Sequence, residues 1–285
     1  MDIGQRVGAV QWGDLVMGPG TRYHVTSLEG YDDLPEVRAE DMPKEGADGD
    51  YTGPDFVGPR VVQLGLTLHG DSPDELRALT VALRAACQPC RTPAPLMFTT
   101  WGTLLWAKLR RRAVPYDAEH LWSSGSAALE FYCADPRIHS LEEHSATTTA
   151  YSPAAGRTYP LTYPRTYGSA GESGRVSATN AGDTTAYPLL RIDGPVSRPS
   201  VEGVNTDTSL VLDVTLQAGE FVVIDTRSRA VLYMGSTPRR QWVRNGSSWP
   251  YLAPGPNELA YRSEAIPGGP DQPSLLTVTW RDASL

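Results

Sequence analysis

Short alternating apolar runs, cut at intervals of about 8–12 residues by glycine, proline or asparagine, occupy most of this chain. The pattern leaves little room for long helices and favours strands joined by tight turns. Composition agrees: 27 glycines and 24 prolines stand beside 13 tyrosines and 7 tryptophans, against only 4 phenylalanines. A chain of 285 residues is long enough for two domains with separate cores. The expected fold class is mainly β. Its parts are a β-sandwich-like domain with one α-helix at residues 1–140, a linker or arm at 141–175, and a jelly-roll β-sandwich at 176–285.

The N-terminal half carries the more varied pattern. Gln11 to Leu28 reads as two short strands around a turn at Gly18-Pro-Gly20. Glu29 to Pro59 is acidic and rich in glycine and proline, and an ordered loop of that length usually has a contact to make. From Arg60 to His69 the alternation is clean, with Val62, Leu64, Leu66 and Leu68 on one face. A helix over about 72–88 follows. Ser72 caps it, Pro73 takes its first position, and Glu75 suits a capping box. Leu76, Leu79, Leu83 and Ala86 form its apolar stripe, and Pro89 ends it. Strands are expected at Leu96–Trp101, Thr103–Leu109 and Ala127–Ala134.

From Ile138 to Tyr187 large aliphatic residues nearly vanish, and Tyr159-Pro and Tyr163-Pro form a local echo. Such a stretch buries too little apolar area to offset its chain entropy, so an arm or linker is expected. Beyond it the pattern is all strand: Leu189–Asp193, Leu210–Leu216, Phe221–Asp225, Val231–Met234, Glu258–Tyr261 and Leu276–Trp280.

A net charge of −8 and a pI near 5.2 argue against a surface that binds nucleic acid through counterion release. Three cysteines are too few for a disulfide framework and suit a reducing compartment. Met1 to Val10 lacks the apolar core of a signal peptide, and no apolar run reaches the roughly 20 residues that span a bilayer. Membrane insertion is not expected.

Candidate chemistry is sparse. Cys87 and Cys90 have Cys-x-x-Cys spacing, but they fall at the C-terminal end of the helix, where the dipole disfavours a thiolate, and no second pair completes a zinc site. His139 and His144 stand five apart, a spacing that diverges on a helix instead of presenting two ligands. Asp41, Glu45, Asp48, Asp50 and Asp55 offer oxygens to a hard cation, but they lack an EF-hand spacing, and a solvated loop is the favoured reading. There is neither a nucleophile elbow nor a phosphate-binding glycine loop. No catalytic residue, cofactor or metal ligand is assigned, and the chain is not expected to be an enzyme. Two groups remain as interface or glycan-stacking candidates. Arg110, Arg111 and Arg112 form a basic run for which a solvated strand end is the favoured reading; the alternatives are a surface facing passing DNA or an acidic partner, such as the acidic loop of a neighbouring copy. Trp242, Trp249 and Tyr251 either fill a core or interface or stack on sugar rings.

Gly18-Pro-Gly-Thr-Arg-Tyr23 and Gly30-Tyr-Asp-Asp-Leu-Pro-Glu-Val-Arg38 resemble the opening of minor tail proteins of phages infecting actinobacteria. The order of strand, Ser72-Pro-Asp-Glu-Leu helix and strand ending in Ala134-Asp-Pro-Arg137 resembles the ring-forming domain of distal tail proteins of long-tailed, siphovirus-type phages. Asn180-Ala-Gly, Ile192-Asp-Gly-Pro195, Ala218-Gly-Glu220 and Ser248-Trp-Pro-Tyr-Leu-Ala-Pro-Gly-Pro-Asn257 resemble that family's galectin-like domain. Architecture explains several of these residues: Gly255 suits a positive φ, Asn257 closes a turn, and Trp249 and Leu252 anchor a sandwich.

The resemblance implies a structural virion protein, a hexameric ring at the distal end of the tail. Its partners would be copies of itself, the tail tube protein, and hub, tape measure or fibre proteins. DNA would pass through the lumen without specific binding. Assembly would occur in the host cytoplasm, and the final location would be the virion tail tip. The alternative is a carbohydrate-binding host-adhesion module of the baseplate.

Overall fold

A computed structural model of the protein describes residues 8–116, 124–151, 173–264 and 274–285. The chain divides into two compact units, one up to Glu142 and one from Glu143 to Ser284. Both are built of strands, with one α-helix among the described residues, so the fold is mainly β.

In the first unit, β1 (Val10–Trp12), β2 (Leu15–Met17) and β3 (Tyr23–Glu29) are followed by β4 (Val37–Ala39), β5 (Met42–Pro43), β6 (Asp50–Tyr51) and β7 (Asp55–Val57). Then come β8 (Arg60–His69), α1 (Pro73–Ala86), β9 (Ala94–Phe98), β10 (Thr103–Ala113), β11 (Ser124–Cys133) and β12 (Ile138–Ser140). The main sheet has the order β2-β1-β9-β10-β11-β8-β3, all antiparallel where paired. Strand β10 is its pivot: residues 103–107 pair with β9, and residues 108–113 pair with β11.

The alternation of β8 is realised as expected. Val62, Leu64, Leu66 and Leu68 are buried, while Gln63 and His69 are exposed on the opposite face. Helix α1 covers the apolar face through Leu76, Thr80 and Leu83, and Trp12 packs on Phe131 with ring centroids 4.9 Å apart. The Ser72 hydroxyl caps the helix by accepting from the Glu75 N–H at 3.2 Å. The Glu75 carboxylate bonds the N–H of Asp71 (2.6 Å), one residue earlier than the capping-box pattern expects. Ala86 lies outside the apolar stripe, and Cys87, buried at the helix end, takes that place.

Three local expectations are corrected. Gln11 to Leu28 holds three strands, because Gly13 and Asp14 supply an additional turn. The acidic stretch is no bare loop: β4 pairs with β7 and β5 with β6, a nested antiparallel arm over 37–57. Its ladders are two or three residues long, too short for alternation to be visible. The segment read as the start of a linker contains β12 and a strand of the second unit, β13 (His144–Thr149). Threonine does there what aliphatics do elsewhere, since a β-branched side chain fits a half-buried pleated surface. The Tyr159 and Tyr163 echo and the rest of the expected linker over 152–172 lie outside the described residues.

The second unit continues with β14 (Arg175–Asn180), β15 (Leu189–Asp193), β16 (Val196–Ser197), β17 (Ser200–Gly203), β18 (Thr208–Val211), β19 (Thr215–Leu216) and β20 (Phe221–Asp225). The rest are β21 (Ala230–Tyr233), β22 (Thr237–Pro238), β23 (Gly255–Arg262), β24 (Leu275–Trp280) and β25 (Ala283–Ser284). A six-stranded sheet, β13-β24-β15-β20-β21-β22, and a four-stranded sheet, β14-β23-β17-β18, enclose one core. That is a β-sandwich. The single run expected over Leu210–Leu216 is two strands, β18 and β19, which belong to different sheets.

The turn before β23 shows why its residues are specific. Gly255 sits at φ 91°, a region costly for any residue with a Cβ. Asn257, buried, accepts from the N–H of Ala253 (2.9 Å) and donates to the carbonyls of Ala253 (2.7 Å) and Gly255 (2.9 Å). Leu252 is fully buried beneath it.

Candidate interaction surfaces

Three surfaces hold the singled-out residues: the arm, the face of the long sheet, and an aromatic cluster in the second unit. The arm exposes apolar side chains that its own unit leaves uncovered. Met42 is 68% exposed and Tyr51 65%, with Val37 and Phe56 also exposed, and Leu34, just before the arm, is 68% exposed. Its acidic residues are spread along it. The Asp41 carboxylate accepts from the Gly53 N–H at 2.8 Å, while Asp50 and Asp55 stand in the two ladders.

At the arm's root lies a residue that pattern reading passes over. Arg60, 2% exposed, donates from Nε to the Pro136 carbonyl (2.8 Å) and from Nη1 to the carbonyls of Gly30 (3.1 Å), Tyr31 (2.5 Å) and Asp33 (2.7 Å). Burial holds its pKa below the ordinary guanidinium value. One cation thus ties residues 30–33 to the start of β8 and to the turn after β11. Tyr31 adds a packed anchor: its hydroxyl meets Thr103 Oγ1 at 2.6 Å, and its ring lies 4.6 Å from those of Phe98 and Trp101.

The Arg110–Arg112 run is separated by a bulge. Pairing of β10 with β11 shifts between Leu109 and Arg111, which leaves Arg110 as the extra residue. Arg110 stacks over the Tyr132 ring at 4.6 Å. Arg112 turns to the helix side and donates to the carbonyls of Arg84 (2.9 Å) and Cys87 (2.6 Å), capping the C-terminus of α1. Arg111 lines a groove of about 190 Å³ on the open face with Glu29, Gln63 and Glu130. The three cations therefore have three different jobs.

In the second unit Trp242, Trp249 and Tyr251 are half-buried. Arg239 lies over the Trp242 ring at 5.7 Å, and Arg240 over Trp249 at 5.5 Å. Tyr233 meets Trp242 edge-on at 5.5 Å and donates its hydroxyl to Glu220 at 2.7 Å. The arginines sit over two of the rings a sugar would use, and Trp249 packs against the sandwich core.

The cysteines have structural surroundings. Burial pushes the Cys87 thiol up to about 11 and that of Cys133 up to about 12, away from the thiolate that redox chemistry requires. His139 pairs with Asp135 at 3.2 Å and His144 with Asp282 at 3.3 Å, so each imidazole has its own carboxylate.

Residues 181–281 match the family model of the siphovirus-type tail component, C-terminal domain. No curated protein matches the chain significantly. Among solved structures, the Dit protein of phage SPP1, described as a paradigm of the hub adsorption apparatus in phages infecting Gram-positive bacteria, aligns with a TM-score of 0.67 at 13% identity. The alignment covers 97% of this chain and 99% of that one. A chain of the activated phage P2 baseplate aligns at 12% identity over 95% of this chain and 96% of its own, with a TM-score of 0.49, and nothing below rests on it. The protein thus has the fold of SPP1 Dit along nearly its whole length, and its C-terminal region is similar to that domain of siphovirus-type tail components.

Proposed function

We propose that this chain is a structural protein of a siphovirus-type phage tail tip, where copies assemble head to tail into a closed, six-membered ring. The ring joins the tail tube to the hub and fibre proteins in the virion, and no reaction is catalysed. The observation that carries this reading is the match of residues 181–281 to the tail-component model, within a chain that has the SPP1 Dit fold throughout. The arm supports self-association, because Met42 and Tyr51 are left uncovered on a segment that Arg60 fixes at its root. Head-to-tail contacts that close under rotation give a ring.

The test is the mass of the purified protein across a concentration series, with particle images of any assembly. Closed rings are expected. Deleting residues 38–56 and bridging 37 to 57 with Gly-Gly should abolish them while the protein stays folded. A wild-type protein that is monomeric at every concentration, with antibody label absent from virion tail tips, would refute the reading.

Carbohydrate binding by the Trp242, Trp249 and Tyr251 cluster is the second reading, favoured by the surface these rings retain. Trp249→Ala separates the two. If the ring is architectural, the substitution lowers stability by about 2 kcal/mol, less than the full core value because the side chain is half-buried. An unchanged melting temperature with lost binding on a glycan array would favour the adhesion reading instead.

A further inference from the structure

Charge is unevenly divided along this chain, although its overall balance is −8. From Thr226 to Asn257 there are five arginines, Arg227, Arg229, Arg239, Arg240 and Arg244, and neither an acidic residue nor a lysine. Strand β21 and the segment after β22 bring three of them together. The Arg239 N–H donates to the Val231 carbonyl (2.7 Å), and the Arg240 guanidinium donates to the Arg229 carbonyl (2.5 Å). Arg239 and Arg240 are also the two cations that lie over the Trp242 and Trp249 rings. A guanidinium held over an indole is fixed in orientation and partly stripped of water, which suits it to a carboxylate or phosphate. Each guanidinium has five N–H donors, and Arg239 uses one on the Pro238 carbonyl (3.2 Å), so donors remain for a ligand.

Among the described residues no carboxylate pairs with Arg229, Arg239, Arg240 or Arg244. The acidic groups around them are engaged otherwise. Glu220 accepts from the Gln217 N–H and the Tyr233 hydroxyl, both at 2.7 Å. Asp225 accepts from the Arg227 N–H (2.9 Å) and the Ser228 hydroxyl (2.6 Å), and Asp213 holds Arg198 at 3.0 Å. An anionic partner is therefore required to balance this surface. An extended peptide finds no free ladder on it. Strand β22 ends its sheet with Pro238, which has no N–H, and the Arg244 and Ser248 N–H groups already bond Val211 and Ser209 of β18 (2.9 and 2.8 Å). Between the cations stand exposed Gln241, Asn245 and Ser248, whose amide and hydroxyl groups match the bonding of sugar hydroxyls.

We propose that this surface binds an anionic glycan, a sugar polymer bearing carboxylate or phosphate groups, with Arg239 and Arg240 as its anchors. This rests on the carbohydrate reading of the Trp242, Trp249 and Tyr251 cluster and names its ligand class. A neutral sugar has to displace the two guanidiniums to reach the indole faces. An anionic one meets them with opposite charge, and the indoles then act as the support that holds the forks in place.

Binding of the intact protein to immobilised polygalacturonate and to a phosphodiester-linked mannan tests this, with dextran as the neutral polymer. At least one anionic polymer should bind and dextran should not, and added salt should weaken the binding. Arg239→Gln with Arg240→Gln should weaken it at least about tenfold, the worth of one charge-assisted hydrogen bond, with Tm unchanged. Arg77→Gln with Arg91→Gln, the same change of charge on exposed residues of the first unit, should leave it unaltered. Arg239→Lys with Arg240→Lys keeps the charge but not the planar fork, and should fall between wild type and the glutamine variant. Dextran binding as tight as that of the anionic polymers, and kept by the glutamine variant, overturns the anionic ligand and leaves the carbohydrate reading standing. Poly-glutamate binding as tightly as the anionic glycans overturns the glycan assignment in favour of an acidic polypeptide. No binding to any of these polymers overturns both this inference and the carbohydrate reading.

Discussion

Replacing Arg60 with methionine is expected to destabilise the first unit by about 3–5 kcal/mol, because several buried carbonyls lose the one charged donor that they share. Methionine matches the stem in volume and supplies no donor. The carbonyls of Gly30, Tyr31, Asp33 and Pro136 then lose their shared partner, and a buried acceptor left unsatisfied costs about 1–3 kcal/mol. At roughly 4 °C per kcal/mol for a unit of this size, the Tm of the first unit should fall by more than about 10 °C. Arg60→Lys should recover part of the loss, because an ammonium reaches one or two of these oxygens but lacks the planar fork that serves both sides. A thermal scan in which Arg60→Met unfolds like wild type would show that the root is held by Tyr31 and its aromatic neighbours alone.

The second large effect belongs to Tyr261, fully buried in the core of the second unit. Its hydroxyl meets Ser274 Oγ at 2.5 Å, and that hydroxyl donates to the Asp193 carbonyl at 2.7 Å, linking β23, β24 and β15. Tyr261→Ala should cost about 3–5 kcal/mol, the usual price of emptying a large aromatic site. Tyr261→Phe keeps the ring and should cost about 1 kcal/mol, the worth of one net hydrogen bond. Calorimetry on both variants checks this. Equal losses would mean that the hydroxyl chain, and not the ring's packing, holds the two sheets together.

Sequence reading succeeded where one periodicity ran long enough to be seen. The alternation of Val62, Leu64, Leu66 and Leu68, and the cap, stripe and stop of the helix from Ser72 to Pro89, are local signals with local causes. It failed where structure depends on partners distant in the chain. The arm has ladders of two or three residues, so Met42 facing Tyr51 carries no recognisable pattern. Strand β13 is His-Ser-Ala-Thr-Thr-Thr, polar enough to pass for linker, yet it pairs residue by residue with β24.

The site residues divide the same way. The Arg110–Arg112 run was visible as charge, but a one-residue bulge decides that Arg111 faces outward and Arg112 faces the helix. Arg60 looked like the polar start of a strand, because nothing in its neighbourhood shows that four carbonyls converge on it. The groove lined by Glu29, Gln63, Glu130 and Arg111 exists only once three registers are known.

The pairing of β13 with β24 also bears on how the chain is made. These strands are the first and nearly the last of their unit, and β14 pairs with β23 in the same nested manner. On the ribosome the seven strands of the first unit's main sheet have all emerged once β11 has. The second must hold β13 and β14 unpaired until almost its entire length has been translated. Contacts of such sequence separation form late and slowly, since loop-closure entropy must be overcome before they are rewarded. A chain stopped before β24 therefore has the main sheet of its first unit and an unclosed second unit. Chaperones and proteases act on exposed strand edges of that kind, and they would remove truncated copies before these could enter an assembly.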